Sequence, residues 1–260
     1  MEIRLSPLLC YLLSPVLNAC FLFNILIMKE TLVFLLFLTF AIAVPAQLKQ
    51  NAPAKTQTNP AALSEAKEAF RNFDFAELSV NPNNLTAESI KELKNNFLAS
   101  AKPLLIEKGE RVERLGRIAK PIFLSHKITK SQTVVFEHQL PTVFTWKETF
   151  ITFSTGAMDV LSDDEISALI AHEIGHLYFA EALGKVREKK NARLTRVIEL
   201  KCDLVALTTL TKLKIKPSKL ISAVKNLIEG REELGAGSFE TGSPSVESRE
   251  EILKFYRRKN

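Results

Sequence analysis

Hydrophobic and polar residues recur with different periods along this chain, and each change of period marks an element. Apolar residues dominate from Leu5 to Ile27 and, after Met28-Lys29-Glu30, again through TLVFLLFLTFAIAVPA to Ala46. Residues 47–62, QLKQNAPAKTQTNPAA, are polar and without apolar periodicity, which predicts a linker. A short helix is expected from Leu63 to about Phe75, then a turn at Asn81-Pro82-Asn83-Asn84 and a helix capped by Thr86. Ile90, Leu93, Phe97, Ala101 and Leu104 recur at helical spacing, with Pro103 dividing the run. Val112, Leu115, Ile118 and Ala119 continue that stripe to Pro121. The period then falls to two: 133–136, 142–146 and 150–154 read as strands. Ser162-Asp163-Asp164-Glu165 has the form of a capping box and opens a helix over 163–183, with Gly184 as its stop. Further helices are expected over 196–210 and 219–233. A Gly-rich loop covers 235–242, and Ser243-Pro244 opens a terminal helix with Pro at the first position. The fold class is α+β, mainly helical, with a small sheet flanking the 163–183 helix.

Composition narrows this only slightly. At 260 residues the chain can bury one substantial core. Lys and Arg outnumber Asp and Glu by 35 to 29, a net charge of +6, and the charges are interleaved in stretches such as GKVREKKNARLTR. Interleaving predicts a solvated helix face rather than a basic patch; an acidic membrane surface is the alternative partner. No nucleic-acid motif is present, so no nucleic acid is expected as a partner.

The N-terminus carries an address. From Met28 onward a short charged start, an apolar core and Val44-Pro45-Ala46 make a secretory signal of ordinary length, with 1–27 as an upstream extension of the reading frame. Membrane-spanning helices and lipid attachment at Cys20 are the competing readings. Each sends the remainder across or onto a membrane, so the protein is expected to be exported, either periplasmic or secreted, or anchored with its folded part outside the cytoplasm. Cys202 is the single cysteine beyond this segment, so the mature part forms no intrachain disulfide.

The chemistry lies in 168–183, ALIAHEIGHLYFAEAL, which contains His172-Glu173-Ile174-Gly175-His176. Two histidines four apart on a helix share a face and can reach one metal ion, and the intervening Glu173 stands beside the attacking water as a general base. A zinc site needs a third protein ligand. Glu199 and Asp203, again four apart, supply one in RVIELKCDLVAL, residues 196–207. Glu199 would bind the metal, and Asp203 would accept the free ring N–H of a ligand histidine. Cys202 points off that face and is expected to be a small buried residue. His126 and His138 are lone histidines near the strands, expected to be structural or exposed, with His138 the better candidate for a late proton donor.

These residues resemble a family. HEIGH followed by E-x-x-x-D on the next helix is similar to the gluzincin zinc metallopeptidases that include the HtpX-type proteases, the CAAX prenyl proteases and their periplasmic relatives. The stretch 150–176, FITFSTGAMDVLSDDEISALIAHEIGH, resembles the family's strand, Thr-Gly turn and acidic helix start. The resemblance covers about 110–256 and implies a zincin-like metallopeptidase domain over 63–260, after a 1–46 signal or anchor and the 47–62 linker. It implies one Zn2+ per chain on His172, His176 and Glu199, catalysis by Glu173, and a protein or peptide substrate held along an edge strand. That strand is assigned to Phe150, Ile151, Thr152, Phe153 and Ser154. Family members often carry a His-Pro near the terminal helix that helps to stabilise the tetrahedral intermediate, with an arginine a few residues on. This chain has Ser243-Pro244 and, at the place of the arginine, Arg249. Arg249 and His138 are thus expected as helpers of the transition state. The family's asparagine before the edge strand is absent as well, since the chain reads Leu140-Pro141-Thr142-Val143. The expected function is a zinc-dependent endopeptidase of the cell envelope; a proteolytically silent zinc-binding chaperone or assembly factor at the membrane is the alternative.

Overall fold

The computed structural model describes residues 59–73, 88, 91–93, 95–96, 104–129, 132–146, 149–237 and 242–259. The 1–46 segment, the linker as far as 58 and most of the helix expected after Thr86 lie outside the described residues. In order, the elements are α1 (Pro60–Arg71), β1 (Leu105–Ile106), α2 (Glu110–Ser125), β2 (Gln132–Phe136), β3 (Val143–Trp146), β4 (Phe150–Ser154), α3 (Thr155–Val160), α4 (Asp163–Tyr178), α5 (Ala180–Glu188), α6 (Ala192–Lys212), α7 (Lys219–Glu233) and α8 (Val246–Lys259). The fold is α+β and mainly helical, with one small sheet, as the periodicity predicts.

α4 sits at the centre. Its side chains are buried on almost every face, including Ile166, Ile170, Ala171 and Ile174, each fully enclosed. A helix that is apolar all round needs partners all round, and α6, α7, α2 and β3 supply them. Its start is fixed by the expected capping box, where Glu165 Oε2 accepts from the Ser162 backbone N–H at 2.9 Å. Arg114 on α2 adds a clamp, donating to Asp163 Oδ1 at 2.7 Å and to the carbonyls of Met158 and Leu161, each at 2.8 Å. At the other end, buried His126 lies 3.0 Å from the Tyr178 hydroxyl and 2.7 Å from Thr209 Oγ1, which ties the loop after α2 to both α4 and α6.

The sheet order is β1-β2-β4-β3. β2 and β4 are parallel in register Gln132↔Phe150 to Phe136↔Ser154, and β3 pairs antiparallel with β4 from Val143↔Phe153 to Trp146↔Phe150. β4 is therefore an inner strand, buried along its whole length. It runs directly into α3, whose first turn is capped when Ser154 Oγ accepts from Ala157 N–H at 3.0 Å. The Thr-Gly turn has a steric cause. A Cβ on Gly156 would stand 1.8 Å from the Gln139 carbonyl oxygen, so only glycine lets the two backbones meet.

Several boundaries differ from the sequence expectation, each for a local reason. α1 begins at Pro60, inside the expected linker, because Asn59 caps it through Ala61 N–H at 3.0 Å and Pro is tolerated at the first helical position. α2 continues through Pro121 to Ser125, carried by Ile122, which is 1% exposed in the core. The 163–183 helix ends at Tyr178, and Gly184 lies within α5 rather than at a stop. Phe179 breaks the helix at φ −110°, its ring against Phe73 and under the Lys201 ammonium. α8 starts at Val246 rather than at Pro244, since the Ser245 hydroxyl accepts from Ser248 N–H at 3.2 Å and acts as its cap.

Candidate metal centre and peptidase site

The site is made where α4 crosses α6. Helical spacing turns His172 and His176 to one face of α4, with ring centroids 5.0 Å apart and the rings nearly perpendicular. Glu199 approaches from α6. Its Oε2 lies 3.4 Å from His172 Nε2 and 3.6 Å from His176 Nε2. The three ligating atoms lie within 4.8 Å of one another. Donors about 2 Å from one ion and set at the tetrahedral angle stand roughly 3.3 Å apart. Two imidazoles and a carboxylate in this arrangement fit zinc.

The other ring nitrogens are engaged elsewhere, and this leaves the Nε2 atoms for the metal. His172 Nδ1 is 2.8 Å from Asp203 Oδ1, deep in the core, so Asp203 takes the role its spacing predicts. His176 Nδ1 faces Cys202 Sγ at 3.7 Å. Cys202 is wholly buried, burial pushes its thiol pKa well up, and it stands outside the cluster of His172, His176 and Glu199. It also explains the glycine of the motif. A Cβ on Gly175 would stand 2.6 Å from both Cα and Cβ of Cys202, so the two helices approach this closely only because residue 175 has no side chain.

The electrostatics of the cluster favour a cation. Burial opposes charge on the His172 imidazole, but the carboxylates of Asp203 and Glu199 outweigh it and raise its pKa well above the usual histidine range. Burial likewise opposes the ionised form of Glu199, yet His176 and His172 hold its carboxyl well below the ordinary range. Positive charge is stabilised where the two Nε2 atoms meet Glu199. A proton satisfies that demand, and so does a divalent metal, which would displace the proton.

Glu173 lies beside this cluster rather than in it. Its Oε2 is 4.0 Å from His176 Nε2 and accepts a 2.7 Å hydrogen bond from the Thr145 hydroxyl on β3. Thr145 was not visible to sequence reasoning, because a strand threonine carries no signal of what it will face. Arg187 on α5 is a second such residue, its guanidinium 3.8 Å from the outer oxygen of Glu199 and largely exposed.

Three expected roles are corrected. Arg249 does not face a developing oxyanion. It is buried, and its Nη1 donates to Asp203 Oδ1, the same oxygen that His172 uses. Its charge offsets that of a wholly buried aspartate. His138 is not brought to the cluster: its backbone N–H bonds Thr155 Oγ1 at 3.1 Å and its ring packs on Phe136. Phe150–Ser154 is not the edge strand, because it pairs on both sides, and the strand at the sheet edge beside α4 is Val143–Trp146.

An H-E-x-x-H helix crossed by a helix that brings a glutamate to both histidines is the arrangement of gluzincin metallopeptidase sites. Residues 106–188 match the sequence profile of peptidase family M48, a gluzincin metallopeptidase family that includes HtpX and the CAAX prenyl proteases and whose members are zinc-dependent. No curated protein matches the chain. The matched stretch takes in the sheet and α4 but ends before α6, so geometry alone joins Glu199 and Asp203 to the site.

Proposed function

We propose that this protein is a zinc-dependent endopeptidase with one zinc per chain, held by His172, His176 and Glu199. The observation that carries the reading is the meeting of two Nε2 atoms and a carboxylate oxygen at ligand spacing, with Glu173 held alongside. Bound zinc would supply Lewis acidity, polarising the scissile carbonyl and lowering the pKa of the attacking water. Glu173 takes the proton of that water at its carboxylate, and later delivers it to the leaving amine nitrogen. Asp203 keeps His172 in the tautomer that presents Nε2.

The substrate is a protein segment in extended conformation. Ser154 N–H donates to the Thr142 carbonyl across the β3–β4 ladder. Alternation in an antiparallel pair then turns the backbone groups of Phe144 and Trp146 toward β4 and those of Val143 and Thr145 outward. Among the described residues no strand covers that edge. A peptide can add there through its main chain and lie beside Glu173. The cell envelope is the proposed place of action, on the strength of the apolar 1–46 segment; among the described residues no helix is long and apolar enough to cross a membrane.

The test is elemental analysis of the purified full chain beside Glu199→Ala and Glu173→Gln, with cleavage of a mixed-sequence fluorogenic peptide library. About one zinc per chain, most of it lost in Glu199→Ala, is expected. Cleavage stopped by a chelator and absent in Glu173→Gln with zinc retained completes the expectation. Zinc bound without cleavage of any peptide would favour the silent zinc-binding protein. That second reading is motivated by Ser243 in place of the family histidine and by an Arg249 already committed to Asp203.

A further inference from the structure

The catalytic carboxylate has one hydrogen-bond donor from a side chain among the described residues, and that donor sits on the substrate edge. Thr145 Oγ1 lies 2.7 Å from Glu173 Oε2 and 3.3 Å from the Glu173 carbonyl oxygen. The amide and carbonyl of the same residue point out from β3, away from β4, by the alternation derived above. One residue therefore touches both the general base and the line along which an extended peptide adds.

We propose that Thr145 is a positioning residue. Its hydroxyl fixes the rotamer of Glu173, and its backbone sets the register of the peptide against that base. The inference rests on the peptidase reading and deepens it. A buried carboxylate with no donor is unstable where it stands and turns toward the nearest polar partner. For Glu173 that is the His176 imidazole, 4.0 Å away, and behind it the place where the metal ligands converge. The Thr145 hydroxyl removes the reason to turn. It holds Oε2, the carboxylate oxygen nearest His176 Nε2, and so fixes the carboxylate beside the ligand atoms. Because the contact comes from the strand and not from α4 itself, the base is aligned with the peptide backbone that β3 binds. Recognition through this residue reads main chain rather than side chains, which suits a peptidase acting on many sequences.

The test compares the zinc-loaded full chain with Thr145→Val, which keeps shape and loses the hydroxyl, and Thr145→Ser, which keeps the hydroxyl. The probe is a fluorogenic peptide that the parent cleaves. Thr145→Val is expected to lower kcat about ten- to a hundredfold, the size of a lost hydrogen bond to a charged group, with KM changed less than about threefold. Thr145→Ser should recover kcat to within about threefold of the parent. Zinc content and the thermal midpoint should be unchanged in both. In the Glu173→Gln background, peptide affinity measured by fluorescence anisotropy should be the same with Thr or Val at 145. A strand residue that merely ties β3 to α4 would lower the melting point and alter KM, and Ser would not restore kcat selectively; that pattern overturns the proposal. So does an active parent whose Val variant has the same kcat, an outcome that leaves the peptidase reading standing. A parent that cleaves no library peptide sinks the reading and this inference together.

Discussion

Gly175→Ala is the most demanding test of how the site is built, because it adds one methyl group whose three nearest neighbours all belong to Cys202. That methyl would stand 2.6 Å from Cys202 Cα and 2.6 Å from its Cβ, with Sγ at 3.1 Å. Carbon atoms pack at about 3.5–4.0 Å, so α4 and α6 must move apart by roughly 1 Å at this crossing. The same crossing carries both halves of the candidate ligand set, with His172 and His176 on one helix and Glu199 on the other. Their separations of 3.4 and 3.6 Å already suit a shared ion. Ligand bonds tolerate only about 0.2 Å of error. Overpacking of this kind costs about 1–3 kcal/mol, which for a domain of this size lowers the melting temperature by roughly 2–12 °C. Zinc affinity should fall tenfold or more. The assay is thermal unfolding with chelator present, followed by a competitive zinc titration. Cys202→Ala is the control. It removes Sγ but neither of the closest atoms, so Gly175→Ala combined with Cys202→Ala should remain as impaired as Gly175→Ala alone. Zinc affinity within twofold of the parent, or full rescue by Cys202→Ala, would show that helix approach does not set ligand geometry.

The edge assignment and the buried histidine give two further expectations. Val143→Pro removes a donor that points outward, so it should leave the fold intact while raising KM for peptides roughly fivefold or more; Ile151→Pro on inner strand β4 should prevent folding, and equal effects of the two by circular dichroism and kinetics would refute the edge assignment. Burial, aided by the nearby Lys212 charge, pushes the His126 pKa down from 6.5 to about 4. The folded state therefore binds fewer protons than the unfolded chain between those values. Its stability should be full above about pH 6.5 and decline by roughly 3 kcal/mol as pH falls toward 4. Urea unfolding across that range should show the slope, and His126→Gln should flatten it; an unchanged slope would assign it to other groups.

The sequence alone determined the elements whose signal is local. Period two marked 133–136, 142–146 and 150–154, and all three are strands within a residue or two of those limits. The capping box placed the start of α4 because Ser162 and Glu165 interact within one turn. Spacings of four brought His172 with His176 and Glu199 with Asp203 onto single helix faces, since the helix repeat needs no tertiary information. What only the tertiary structure decided is what those faces meet. Strand order is not written in any one strand, so 150–154, expected at the edge, is an inner strand and 143–146 holds the edge. Arg249 occupies the sequence place of a helper but is drawn into the core by the buried charge of Asp203, forty-six residues away. Thr145 becomes a partner of Glu173 only because β3 packs on α4. Gly175 was readable as a place in the motif. Its reason, a backbone crossing at Cys202 too close for any side chain, exists only once the two helices are packed.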